Sequence, residues 1–366
     1  MGRFKLESVC TPCRTQHRKC DGERICRSCV LHGRPELCDP NRCASVPVRQ
    51  HVRRITRQIQ PNVENGLLNL SPVVGDENEA LLFHHWCIEI APWFDLFDQG
   101  RHFARVVPTM ACKSRLLMSA ILAYTTRKLY NTKVETNETF HVKYYNESIS
   151  LLIKELKRGV DDEYSIATAV ILCALEVMNA SWQNWRRHLN GISSMLEIGG
   201  KIASSNLRKA SFWIFAREDT QLSILQSTPL NLDPRIWPLE ADQERDDCKA
   251  EKILRILAMI SNYLAGDPDS NVRQQLFDDL SEFQDSLSEK FSAIAIIPGT
   301  IPKVLYSSTI QSSMFQMYHL AYILLVGVQD HRAERHAYEI IGIAHGGLEP
   351  TARVHAIHRS SMLAKF

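Results

Sequence analysis

Between Cys10 and Cys38 the chain reads CTPCRTQHRKCDGERICRSCVLHGRPELC. Its six cysteines fall in two similar halves, Cys10-x2-Cys13-x6-Cys20 and Cys26-x2-Cys29-x8-Cys38, five residues apart. A close pair followed by a third thiol occurs twice, which predicts two related loops facing each other. Thiols at such spacings either cross-link or ligate metal. Three disulfides would belong to a secreted scaffold, but the opening residues MGRFKLESV contain no apolar h-region and predict no signal peptide. Structural Zn²⁺ takes four tetrahedral ligands and favours thiolate. A single zinc would leave two nearby thiols unused, against the symmetry of the halves. Two Zn²⁺ ions need eight contacts, and six sulfurs supply them if two bridge both metals. The expectation is a binuclear zinc–thiolate cluster ligated by Cys10, Cys13, Cys20, Cys26, Cys29 and Cys38, built as two short helix–loop halves. Cys43 is a spare thiol.

Charge is unevenly placed. Residues 1–60 hold 13 Lys and Arg against 5 Asp and Glu, net +8, whereas the rest of the chain holds 30 against 36, net −6. Two Zn²⁺ and six thiolates lower the head only to about +6. A basic head on an acidic body fits a polyanion-binding module attached to a separate domain.

The zinc module is expected over residues 8–40. Residues 14–19, RTQHRK, are pinned between Cys13 and Cys20 and can make about one and a half helical turns, too few to stand alone in water. Metal binding would supply their folding energy. Residues 41–79 read as a linker, punctuated by Pro47, Pro61 and Pro72 and carrying Arg49, Arg53, Arg54 and Arg57. These arginines would follow a nucleic-acid backbone, act as a nuclear import signal, or simply keep the linker soluble. No sustained a/d heptads mark a dimer coil there, so a homodimer would need another interface.

From Ala80 to Phe366 the pattern is helical, and an all-α domain is expected. Helical-period segments run over 110–130, 138–157, 162–180, 183–198, 204–225, 247–264, 270–291, 304–328 and 331–345. The turns STPLNLDP and IIPGTIP separate groups of helices, and no strand alternation is evident. Cys87, Cys112, Cys173 and Cys248 read as small buried residues. The longest apolar runs, Ala167–Leu175 and Leu320–Val328, are too short to span a bilayer and suit core helices; no membrane partner is expected. Leu276, Leu280, Phe283, Leu287 and Phe291 fall on one face of LFDDLSEFQDSLSEKF and predict a core-facing helix in place of an acidic activation segment. His84-His85-x-Cys87 does not read as a metal site, because adjacent helical residues point apart. Trp182, Trp185 and His188 at helical spacing read as packing.

The cysteine spacing, together with the basic run CRTQHRKCD, resembles the fungal Zn2Cys6 (C6 zinc cluster) transcription factors. The resemblance implies that Cys10 and Cys26 bridge the metals, with Cys13 and Cys20 completing one zinc and Cys29 and Cys38 the other. Arg24 stands where that family often carries proline. The stretches APWFDLFDQGRHFARVVP, LLMSAILAYTTRKL, WRRHLNGISSMLEIGG and FWIFAREDTQLSILQ resemble the fungal-specific transcription factor domain, in its second common form, over roughly residues 80–345. That domain usually runs longer, so the expectation is either a missing final helix group or a truncated gene model, with part of the apolar core left uncovered.

Within 14–19, His17 is not needed as a ligand and is assigned to a base edge, since an imidazole N–H can donate to guanine O6 or N7 in the major groove. The resemblance implies CGG-type triplet reading for His17 and Arg18. Arg14 and Lys19 reach phosphates, which fixes register and makes affinity salt-dependent, and Gln16 joins either set. No G-x-S-x-G, P-loop or H-E-x-x-H motif occurs, and a saturated zinc has no open position for water. The expectation is a non-enzymatic, nuclear, sequence-specific regulator of RNA polymerase II transcription, with double-stranded DNA and transcriptional co-regulators as partners. The rival expectation is a zinc-stapled protein-interaction scaffold with little specific DNA binding.

Overall fold

The computed structural model describes residues 73–132, 139–159, 162–179, 182–198, 205–240, 244–266 and 269–346. The chain divides into two units, residues 1–69 with 129–136, and residues 70–128 with 137–366. The architecture below is that of the second.

It opens with helix α1 (Glu77–His85), capped by Asp76, whose carboxylate accepts the Glu79 N–H at 2.9 Å. A π-helical turn (Trp86–Ile90) leads into α2 (Ala91–Phe94). Pro92 lacks the N–H that would bond back to Ile88, and the wider turn accommodates it. Short helices α3 (His102–Arg105) and α4 (Val107–Ala111) follow. Two acids of the stretch APWFDLFDQG set α3 in place. Asp95 accepts the N–H groups of Phe103 and Ala104 at 2.8 and 2.9 Å, and Asp98 accepts that of His102 at 2.6 Å.

Next come α5 (Arg115–Asn131), α6 (Thr139–Lys157), α7 (Glu163–Met178), α8 (Trp182–Ile198) and α9 (Asn206–Gln226). On α6 the buried residues His141, Tyr144, Ser148 and Leu152 make one face, the i, i+3, i+4 spacing of an amphipathic helix. By contrast α7 is apolar almost all round, and it packs against α6, α8 and α9 as a fully enclosed helix must. Arg115 ties three segments together. Its guanidinium is bidentate to Glu79 (2.6 and 3.0 Å) and to Glu147 (2.7 and 2.8 Å), and it also reaches the Val73 carbonyl at 3.2 Å. Burial works to raise the Glu79 pKa, but the donors from Arg115 and Gly75 outweigh it and hold the carboxyl below its ordinary value.

The remaining helices are α10 (Asp246–Ala265), α11 (Ser270–Asp285), α12 (Thr309–Val326) and α13 (His331–Gly346). Helix α10 packs against α9, α11 and α12, and α12 against α11 and α13. One continuous apolar core runs from Trp86 to Ile340 through these helices.

Several boundaries differ from the expected ones. The segment expected over 110–130 starts at Arg115, because α4 is a separate turn begun by Pro108. The segment expected over 270–291 stops at Asp285. The Ser286 hydroxyl folds back onto the Phe283 carbonyl at 2.7 Å, and the buried Lys249 ammonium takes the Ser286 carbonyl at 2.8 Å. Even so, Leu276, Leu280, Phe283 and Phe291 are all buried and Leu287 packs on the core, Phe291 through a 3₁₀ turn (Glu289–Phe291).

The expected helix over 304–328 begins only at Thr309, where Ser308 caps it by accepting the Gln311 N–H at 3.1 Å. Ahead of it lies a feature absent from the all-α expectation, an antiparallel hairpin of β1 (Ala295–Ile297) and β2 (Lys303–Leu305) with Ile296 opposite Val304. Helix α13 lies against β2. A Cβ on Gly342 would stand 2.8 Å from the Pro302 carbonyl oxygen, and one on Gly346 would collide with that of Val304. Only hydrogen fits at both positions. Among the cysteines, Cys173 and Cys248 are buried as expected, whereas Cys87 and Cys112 are half-buried. Among the described residues, no helix is long and apolar enough to cross a membrane.

Candidate functional site

The expected metal ligands Cys10, Cys13, Cys20, Cys26, Cys29 and Cys38 lie outside the described residues, as do the expected DNA contacts Arg14, Gln16, His17, Arg18 and Lys19. The described functional features belong to the helical domain, and they are polar groups held inside it.

One interior polar group joins α6, α7 and α8. Tyr145 Oη and His188 Nε2 are 3.1 Å apart, and Glu176 Oε1 is 3.9 Å from the same nitrogen. Burial lowers the His188 pKa, with the Glu176 charge pulling the other way. Trp185 is buried one turn before His188, so this pair packs, as its spacing predicted. Cys173 lies deep in α7. Burial and the nearby acids Glu218, Asp219 and Glu176 push its thiol well above the ordinary value, which makes it a poor nucleophile. His84 is exposed and His85 half-buried in the last turn of α1. Among the described residues, no group of three or more His, Cys, Asp and Glu is arranged to hold a metal ion.

A second polar cluster surrounds the start of α10. Glu251, only 1% exposed, has Lys209 at 3.4 Å, while Lys209 also pairs with Glu240 and Arg245 pairs with Glu240 and Asp247. Burial pushes the Glu251 carboxyl up to about 8, with Lys209 pulling down and Asp247 adding to the rise. A third group lies between α12 and α13. His319 Nδ1 and His336 Nδ1 are 2.8 Å apart, and the His336 ring stacks on Tyr322 at 4.0 Å between centroids. Burial lowers the His319 pKa to about 3 and moves that of His336 in the same direction, which favours neutral rings joined by one N–H···N hydrogen bond.

A cavity among the described residues has the size of a ligand site. It lies where α9 and α12 end against the last turns of α10 and encloses about 390 Å³. Ser223, Ser227, Ser261, Leu264, Val326 and Asp330 are among its lining residues. Two helix stops shape it. Ser227 ends α9 in the left-handed region (φ 51°) with its N–H on the Ser223 carbonyl, and Gly327 ends α12 at φ 89° with its N–H on the Ile323 carbonyl at 2.9 Å. Sequence reasoning did not find this cavity. Gly327 is a readable helix stop, but serine carries no signal for a left-handed cap, and the lining residues come from segments about 40 and 60 positions apart.

A family model described as "Fungal specific transcription factor domain" matches residues 81–327. The match opens inside α1 and closes on Gly327, so it takes in the hairpin and the cavity-forming helices but not α13. No curated protein and no solved structure matches the chain. Since this match spans well over half of its residues, the protein belongs to the fungal specific transcription factor domain family, a family of transcription regulators.

Proposed function

We propose that the protein is a nuclear, zinc-dependent, sequence-specific DNA-binding regulator of RNA polymerase II transcription, with its DNA-reading surface in residues 14–19 and the helical domain as its regulatory part. The carrying observation is the conjunction of the family match over 81–327 with six cysteines at the spacing described above. The donor set suits zinc: six soft thiolates meet the needs of two tetrahedral ions if two are shared. Bound zinc would give these residues a fixed scaffold and no reactive centre. Cys10 and Cys26 would bridge, and His17 and Arg18 would face base edges while Arg14 and Lys19 meet phosphates. The family's role in transcription supports a non-enzymatic reading.

Binding-site selection with the full-length protein tests this reading. Enrichment of CGG-type triplets is expected. His17→Ala should cost about 1–3 kcal/mol on the selected triplet and relax its preference. Lys19→Ala should weaken binding on all sequences alike and lower the salt slope by about one. Equal affinity for selected and scrambled duplexes would refute sequence-specific recognition.

A further inference from the structure

We propose that the cavity at the ends of α9, α10 and α12 binds a small apolar molecule carrying a hydrogen-bond donor, an alcohol or an amine, and rejects acids. The regulatory consequence rests on the function proposed above; the binding chemistry rests on the cavity wall.

The volume of about 390 Å³ falls within the ~300–1,000 Å³ of small-molecule sites. Ile224, Leu264, Ile323 and Val328 supply apolar wall. At its buried end the wall offers a serine pair that accepts hydrogen bonds and has no proton left to donate. A serine hydroxyl has one proton. Ser223 gives its proton to the Thr228 carbonyl at 2.6 Å, so the 2.5 Å contact between Ser223 and Ser261 is donated by Ser261. Ser261 has then spent its proton, and its remaining lone pairs can only accept.

The end of α12 adds backbone acceptors. An α-helix leaves its last four carbonyls without intrahelical partners. In α12 the Ile323 carbonyl takes the Gly327 N–H, and the Leu325 carbonyl takes the Arg273 guanidinium at 2.7 Å. The other two carbonyls belong to Leu324 and Val326, both lining residues. The negative ends of α9 and α12 meet here, which disfavours an anion. Asp330, also in the wall, is held ionised by the Arg332 side chain and N–H. Among the described residues no Lys, Arg or His lines the cavity, and the single amide, Gln329, is exposed. Arg186 and Arg273 answer part of the two helix ends from outside it. A carboxylate or phosphate entering here would exchange water for a wall with no lining cation and with the Asp330 carboxylate in it.

The test uses full-length, zinc-loaded protein labelled at Ile, Leu and Val methyls, titrated with phenethyl alcohol, phenethylamine and phenylacetate. The three share a ring and differ in the polar group. The alcohol and the amine are expected to shift the Ile224, Ile323 and Val328 methyls saturably, and the acid to bind at least about tenfold more weakly. Ser261→Ala should weaken the first two by about fivefold to tenfold, one hydrogen bond, while Ser261→Thr keeps them. Leu264→Trp, at a half-exposed position on the wall, should block all binding; it decides the matter if melting shows that Ser261→Ala has unfolded. Equal binding of the acid, no saturable shift with any probe, or shifts that survive Leu264→Trp would overturn the proposal. No DNA enters the measurement, so failure of this site and failure of the DNA-binding function register separately.

Discussion

At the scale of single residues, the helical domain tolerates ionisable groups inside it by holding several of them neutral. Glu251 shows the consequence for stability. Its folded pKa is raised from 4.5 to about 8, so between those values the folded chain keeps a proton that the unfolded chain releases. The stabilisation is complete below about 4.5 and is lost as pH rises to about 8. Glu251→Gln stays neutral throughout, and its amide oxygen can still accept from Lys209. Urea unfolding at pH 5 and pH 8 should show a smaller loss of stability between the two for the variant, with a gain on the order of 1 kcal/mol over wild type at pH 8. An unchanged difference would mean that Glu251 is ionised in the fold. None of this was legible beforehand: Glu251 looks like an ordinary helical glutamate until Lys209, Glu240 and Asp247 are brought around it.

At the scale of elements, the seam between α13 and β2 is the most exacting contact. A Gly→Ala change in a helix ordinarily gains about 1 kcal/mol from propensity. At Gly342 the added methyl meets a backbone oxygen at 2.8 Å, which cannot swing away as a side chain would. The clash therefore wins, and Gly342→Ala should cost about 1–3 kcal/mol and speed amide exchange in residues 303–305. A stabilised variant in thermal unfolding would contradict this packing. Periodicity made the long helices readable, because α6 and α11 each bury one face and their apolar residues recur at helical spacing. It missed β1 and β2, whose three-residue strands are too short for alternation to show and whose isoleucines at 296 and 297 are exposed. Boundaries went astray where side chains intervened, as at Ser286 with Lys249 and at the Ser308 cap. The candidate cavity was invisible for a related reason: its wall is three helix ends, and no sequence period encodes their meeting.

At the scale of the whole molecule, a basic head precedes a net acidic remainder. The helical domain has its own continuous core, whereas a cysteine-rich head of the proposed kind would draw its folding energy from bound metal. On the proposed function, a chelator should therefore abolish DNA binding while leaving the far-UV helical signal nearly unchanged. A collapse of that signal on chelation would tie the two parts into a single folding unit. The Arg115 clamp carries a consequence for how such a chain is made. Its carboxylate partners lie 36 residues before it and 32 after it, so the last tie closes once Glu147 has left the ribosome. The front of the domain can then settle while α10 to α13 are still being translated, and later segments dock onto a finished platform.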